Sequence, residues 1–164
     1  TITFTDKNVK VACTGDIRTL LDWRNYSTVN TQNALFCYLF KDCAVLTSAP
    51  ELPATKLADY CYYGMFFCCT SLTAAPELKA TTLAVRCYSS MFEGCTKLST
   101  VTMLAPSDQI TSASDCCKDW LTNAGTDPEV GGSLLIKNYE AHKALKDKSY
   151  LPDNWEFAQI NYVE

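Results

Sequence analysis

Ten cysteines and a single histidine, His142, are the residues of this 164-residue chain whose types could carry chemistry. A thiol nucleophile needs a thiolate within hydrogen-bond reach of a base, with a third group to orient that base. The nearest cysteine, Cys117, stands 25 residues before His142, which falls on a stretch that reads as a C-terminal helix. His142 therefore reads as a surface or helix-packing residue. Structural zinc asks for short pairs of the Cys-x₂₋₄-Cys kind, usually two per site. The adjacent pairs Cys68-Cys69 and Cys116-Cys117 cannot splay in that way, and a Cys-x-x-Cys redox motif does not occur. Glu51 and Glu77, each beside a proline, occupy one repeat position and read as solvated charge rather than a glycosidase acid pair. No catalytic residue, metal ligand or cofactor is assigned, and the ligand-binding residues stay open.

The cysteines find a better explanation in their spacing. Cys61 to Arg86 repeats the preceding Leu35 to Tyr60 at 12 of 26 positions, and the run from Cys87 repeats it at 8 before drifting. The phase is fixed by Phe40, Phe66 and Phe92, by Cys43, Cys69 and Cys95, and by Leu46, Leu72 and Leu98. Leu52, Leu78 and Leu104 keep the same step. Apolar residues at a constant period of 26 are the signature of a solenoid, in which each unit buries its face on the next. Cys61 and Cys87 recur as well, so most thiols read as a buried, reduced ladder. A disulfide framework is the competing reading. Cys68 and Cys117, outside the pattern, are the ones expected to be exposed or paired.

Local patterns place these residues on elements. Cys61, Met65, Cys69 and Leu72 are spaced four, four and three apart, which predicts one face of a short helix ending near Cys69. Leu72 to Leu78 follows as an extended stretch limited by Pro76. Near the start, Ile2, Phe4, Val9, Val11 and Cys13 suggest a hairpin or the opening of a helix. Asp16 could cap one or two helical turns through Ile17, Leu20, Leu21 and Trp23. Cys116 to Leu121 reads as a last, modified coil with Trp120 in the phenylalanine position at a spacing of 28. Gly125 to Gly132 reads as a loop and Ser133 to Ile136 as a strand. Asn138 caps a helix to about Asp147, with Tyr139, His142, Ala144 and Leu145 facing inward. A turn with a buried Trp155 and an extended end through Phe157, Ile160 and Tyr162 close the chain.

Composition sets wider limits. With 48% apolar and 20% charged residues, one domain with a real core is expected. A net charge of −4 and scattered Lys and Arg argue against nucleic acid. No apolar run could span a bilayer. The start at Thr1 suggests a trimmed or processed end.

The core Met-Phe-x-x-Cys-Thr-x-Leu recurs at Met65 to Leu72 and Met91 to Leu98. With the Cys-x-x-x-Trp-Leu run at Cys116 to Leu121 and the Leu-Pro-x-x-Trp tail at Leu151 to Trp155, it resembles the BspA-like leucine-rich repeat proteins of Bacteroides and related bacteria. The likeness is strongest over 35–121. Leu35 and Leu39 replace Cys and Met, and Cys68 stands where the next copy has Gly94. The resemblance implies an α/β fold, a short right-handed leucine-rich-repeat solenoid of about three 26-residue repeats with atypical N- and C-terminal caps. As one domain, its caps would be 1–34 and 122–164 and its repeats 35–121. It implies export to the bacterial surface or release, and adhesion to a host or bacterial protein without enzymatic activity. Thr47, Ser48, Thr73, Ala74, Ser99 and Thr100, with Tyr62, Tyr63 and Tyr88, could line such a face. Carbohydrate binding is the alternative and would need exposed aromatics in one row.

Overall fold

The computed structural model of the chain describes residues 1–29 and 36–159. Leu35, Ile160 and Tyr162, which carried expectations above, lie outside them.

The predicted helix of the central copy is absent. From Tyr60 to Cys69 the chain makes successive tight turns in which every fourth residue is left-handed: Tyr60, Gly64 and Cys68, at φ of 59°, 56° and 57°. The pattern returns at Arg86, Ser90 and Gly94, and again at Asp115, Asp119 and Asn123. The N–H groups alternate between two partners. Those of Tyr63, Met65, Phe67 and Cys69 donate to the carbonyl three residues back. Those of Tyr60, Tyr62, Gly64, Phe66 and Cys68 donate to Val85, Cys87, Ser89, Met91 and Glu93 of the next copy. An α-helix would satisfy all of these internally and leave none for a neighbour. Each left-handed non-glycine residue costs about 1–2 kcal/mol. A cross-copy hydrogen bond returns a net ~0.5–1.5 kcal/mol, and stacking supplies the remainder. At Gly64 the choice of residue is forced, because a Cβ would lie 2.2 Å from the Tyr38 ring.

Four-residue turns keep the helix's apolar spacing, so Cys61, Met65, Cys69 and Leu72 do face one buried side. Between copies the rings stack. Phe40, Phe66 and Phe92 lie 5.5 and 5.6 Å apart and within 2° of parallel. Phe36, Tyr62 and Tyr88 follow at 6.0 and 6.1 Å. The thiols join this column by hydrogen bonds. Cys69 Sγ donates to the Phe40 carbonyl at 3.0 Å, and Cys95 Sγ to that of Phe66 at 3.1 Å. Cys43 Sγ reaches Ile2 O at 2.9 Å, while Ile2 N–H donates to Leu39. The amino-terminal residues thus stand where a preceding copy would be, and no hairpin forms there.

The opposite side of the copies holds short parallel strands. Strand β1 (Val11–Ala12) pairs with β2 (Leu46–Ser48). Strand β3 (Thr100–Met103) pairs with β4 (Gly132–Ile136), and β4 with β5 (Trp155–Gln159). The middle copy adds only single bridges, Ala74 to Ser48 and Thr100, Leu78 to Met103, and Thr82 to Lys56. Leu78 thereby meets Met103 rather than Leu104, which is only half-buried.

These features correct the expected fold. A right-handed leucine-rich-repeat solenoid would carry one continuous sheet and close its coils regularly. The described residues instead form two small parallel sheets and two short α-helices in a mixed α/β fold without solenoid closure. Part of the reason is local. Pro50 and Pro76 have no N–H to donate, and a one-residue slip between Ala74–Thr100 and Leu78–Met103 breaks the ladder. A second part is helix α1 (Ser107–Ser112), which lengthens the third unit. Phe92 N–H donates to Trp120 O as Phe66 does to Met91 O. Trp120 therefore takes the methionine position, Leu121 the phenylalanine position, and the spacing is 29 rather than 28.

The C-terminal unit follows its sequence more closely. Helix α2 (Tyr139–Asp147) is capped by Asn138, whose Oδ1 accepts the Ala141 N–H at 3.0 Å. Ala141, Ala144 and Leu145 are buried, but Tyr139 is 62% exposed and not an inner residue. Trp155 is buried, lies against Gly132 and donates Nε1–H to Ala124 O at 3.2 Å.

Candidate functional surface

All ten cysteines are free, and seven of them are buried. Burial pushes the Cys61 and Cys95 thiols up to about 12 and raises those of Cys69 and Cys87 as well. A thiol in this environment stays protonated at neutral pH and is a poor nucleophile. Cys68 is half-buried, but Cys117, expected to be exposed or paired, is fully buried and free. Burial raises its pKa too. His142 lies against Phe157, with ring centroids 4.7 Å apart, not against a thiol. Among the described residues, no cluster of three His, Cys, Asp or Glu could hold a metal ion. Among the same residues, no helix is long and apolar enough to cross a membrane.

Glu51 and Glu77 are exposed on a shallow groove of about 240 Å³ floored by Pro50 and Pro76. Glu77 faces Lys79 at 3.6 Å, an ordinary surface pair. The small polar residues beside the strands are largely committed to backbone. Thr47 Oγ1 donates to Val11 O at 3.1 Å, Ser48 Oγ to Cys13 O at 3.4 Å and Ser99 Oγ to Thr73 O at 2.9 Å. Thr73 and Ala74 are exposed, and Thr100 lies in β3. Tyr62 and Tyr88 belong to the buried ring stack and are removed from any binding face.

Tyr63 is the exception. It meets Tyr38 at 5.1 Å, edge to face, and Tyr60 at 5.8 Å, tilted by 57°. Tyr60 is 39% exposed, and Lys41 Nζ lies over both Tyr38 and Phe67. Burial first, then the neighbouring Tyr63 hydroxyl, pushes the Tyr38 phenol up to about 12. Arg86 and Asp115 pair nearby in sequence register at 3.1 Å.

A second apolar surface comes from the segment after β1. Asp16 Oδ1 accepts the Arg18 N–H and caps a single 3-10 turn over Ile17–Leu20, as its position predicts. The Arg18 guanidinium grips the same carboxylate at 2.7 Å and holds it below the usual range. Only Ile17 points inward. Leu20, Leu21 and Trp23 are 57%, 44% and 71% exposed, and Arg24 stacks on Trp23 at 4.9 Å. The sequence reading grouped Leu20, Leu21 and Trp23 with Ile17. Ile17, Leu20 and Leu21 do fall at the i, i+3 and i+4 spacing of one helical face, with Trp23 off it, but the chain makes only a single 3-10 turn there and buries Ile17 alone.

Comparison with protein-family models, with curated proteins and with solved structures returns no match for this chain.

Proposed function

We propose that the chain is a non-enzymatic interaction protein, exported or held at a bacterial surface, that binds a host or bacterial protein. The observation that carries this reading is the exposed run of Leu20, Leu21, Trp23 and Arg24, in a chain whose other large apolar groups are mostly buried. Trp and Arg dominate protein-binding hot spots because they combine contact area with a polar handle. Burial keeps the Cys61, Cys69, Cys87 and Cys95 thiols protonated and poor as nucleophiles. The motif resemblance to BspA-like proteins supports the surface location.

Carbohydrate binding is the second reading, and the Tyr38–Tyr60–Tyr63 cluster favours it. Those rings are tilted against one another rather than aligned in a row.

The test is binding of the chain and of Trp23→Ala to a panel of purified host extracellular proteins and surface glycans. Protein binding weakened on the order of thirtyfold by Trp23→Ala, the loss of one hot spot, is the expected result. Binding to glycans alone, weakened by Tyr60→Ala and not by Trp23→Ala, would replace the first reading with the second.

A further inference from the structure

His142 is the chain's single histidine, and its Nδ1 is buried with no hydrogen-bond partner among the described residues. Its ring lies over Phe157 of β5 at 4.7 Å, tilted 30°. Tyr139, one turn earlier, touches both rings, at 6.1 Å to His142 and 6.5 Å to Phe157. Phe157 pairs in register with Leu134, whose side chain is in the core. These three rings clasp α2 onto β5, the last strand of its sheet. The first residue of β5 is fastened separately. Trp155 is buried and bonded to Ala124 O, and Asn154 Nδ2 donates to the same carbonyl at 2.8 Å.

We infer that the His142–Phe157 stack is an acid-sensitive latch, which releases the end of β5 beyond Trp155 when the imidazole is protonated. The neutral ring can remain in place by carrying its proton on Nε2 and leaving Nδ1 bare. The imidazolium must carry N–H on both nitrogens, and Nδ1–H would then be buried without an acceptor. Among the described residues, the groups around it do not help. On α2, Lys146 lies one turn on and adds a like charge, while Tyr139 presents its ring. Glu140, Lys143 and Asp147 line the groove toward α1, where Lys143 pairs with Asp147. On β5, Phe157 offers no charge, and Glu156 alternates to the other face. On β4, Leu134 and Ile136 face the core, and Lys137 is exposed at the strand's end. Burial and Lys146 accordingly hold the His142 pKa below its ordinary value.

The sign follows. The opened state takes up a proton near pH 6.5, the closed state only at lower pH, so the latch is complete above about 6.5 and weakens as pH falls through that value. The experiment is amide hydrogen exchange at Phe157 and Ala158 between pH 7.5 and 5, corrected for intrinsic exchange, in the wild type and His142→Gln. Protection should fall in the wild type as pH descends below about 6.5 and stay level in the variant. Equal losses in both proteins would overturn the latch, as would level protection in the wild type. Proton NMR titration of His142 in the wild type needs no variant. A midpoint below 6.5 agrees, and one at or above 6.5 with Phe157 still protected overturns it.

Discussion

Along Tyr60–Cys69, alternate N–H groups leave their own segment and bond the next copy, whereas along Tyr139–Asp147 the N–H groups are spent within one helix and its Asn138 cap. Both stretches bury one apolar side at a spacing close to four. In the helix, cohesion is local and the flanking strands β4 and β5 receive a finished element. In the turns, cohesion belongs to neighbouring copies, and each left-handed residue is tolerable only while its N–H finds the next copy's carbonyl. Identical apolar spacing can therefore conceal opposite divisions of hydrogen bonding.

The sharpest way to separate the two regions is to remove the ring at the middle of the column. Phe66→Ala leaves Phe40 and Phe92 facing a void and should destabilise the chain by about 3–5 kcal/mol, read by urea denaturation. The turn backbone should respond next most strongly. Gly64→Ala places a methyl against the Tyr38 ring at a left-handed position and should cost about 1–3 kcal/mol, again in urea. In the C-terminal unit, loss of the helix cap by Asn138→Ala should cost only about 1 kcal/mol, because tertiary packing of Ala141, Ala144 and Leu145 persists. An Asn138→Ala loss larger than that of Gly64→Ala would reverse the comparison, making the helix rather than the copies the more cooperative element.

How far the sequence could be read follows the same division. Ser133–Ile136, the Asn138 cap and the helix to Asp147 were visible because their signals are local: a short apolar run after two glycines, a side-chain acceptor and helical spacing. The period of 26 was visible too, and it located the Phe and Cys columns. What the period could not show was the backbone that carries it. Helix and four-residue turn place Cys61, Met65 and Cys69 alike, and only Gly64 and Gly94 hint at left-handed positions that Tyr60, Cys68, Arg86 and Ser90 share without glycine. The missing continuous sheet was equally hidden, since the slip from Leu104 to Met103 moves the register by one residue with Leu still present in the sequence. On the surface, burial of Tyr62 and Tyr88 beside a half-exposed Tyr63 follows from the turn geometry, so the three tyrosines looked equivalent beforehand. Exposure of Trp23 depends on what does not pack over it, which no local signal records.

Left-handed residues direct their N–H groups to the adjacent copy. NMR measurement of the backbone φ angles of Tyr60, Cys68, Arg86 and Ser90, together with hydrogen-bond couplings across copies, tests this most directly. Positive φ is expected at all four, with couplings from their amides to Val85, Glu93, Ser114 and Lys118. Negative, helical φ values with couplings confined to each residue's own segment would contradict this arrangement.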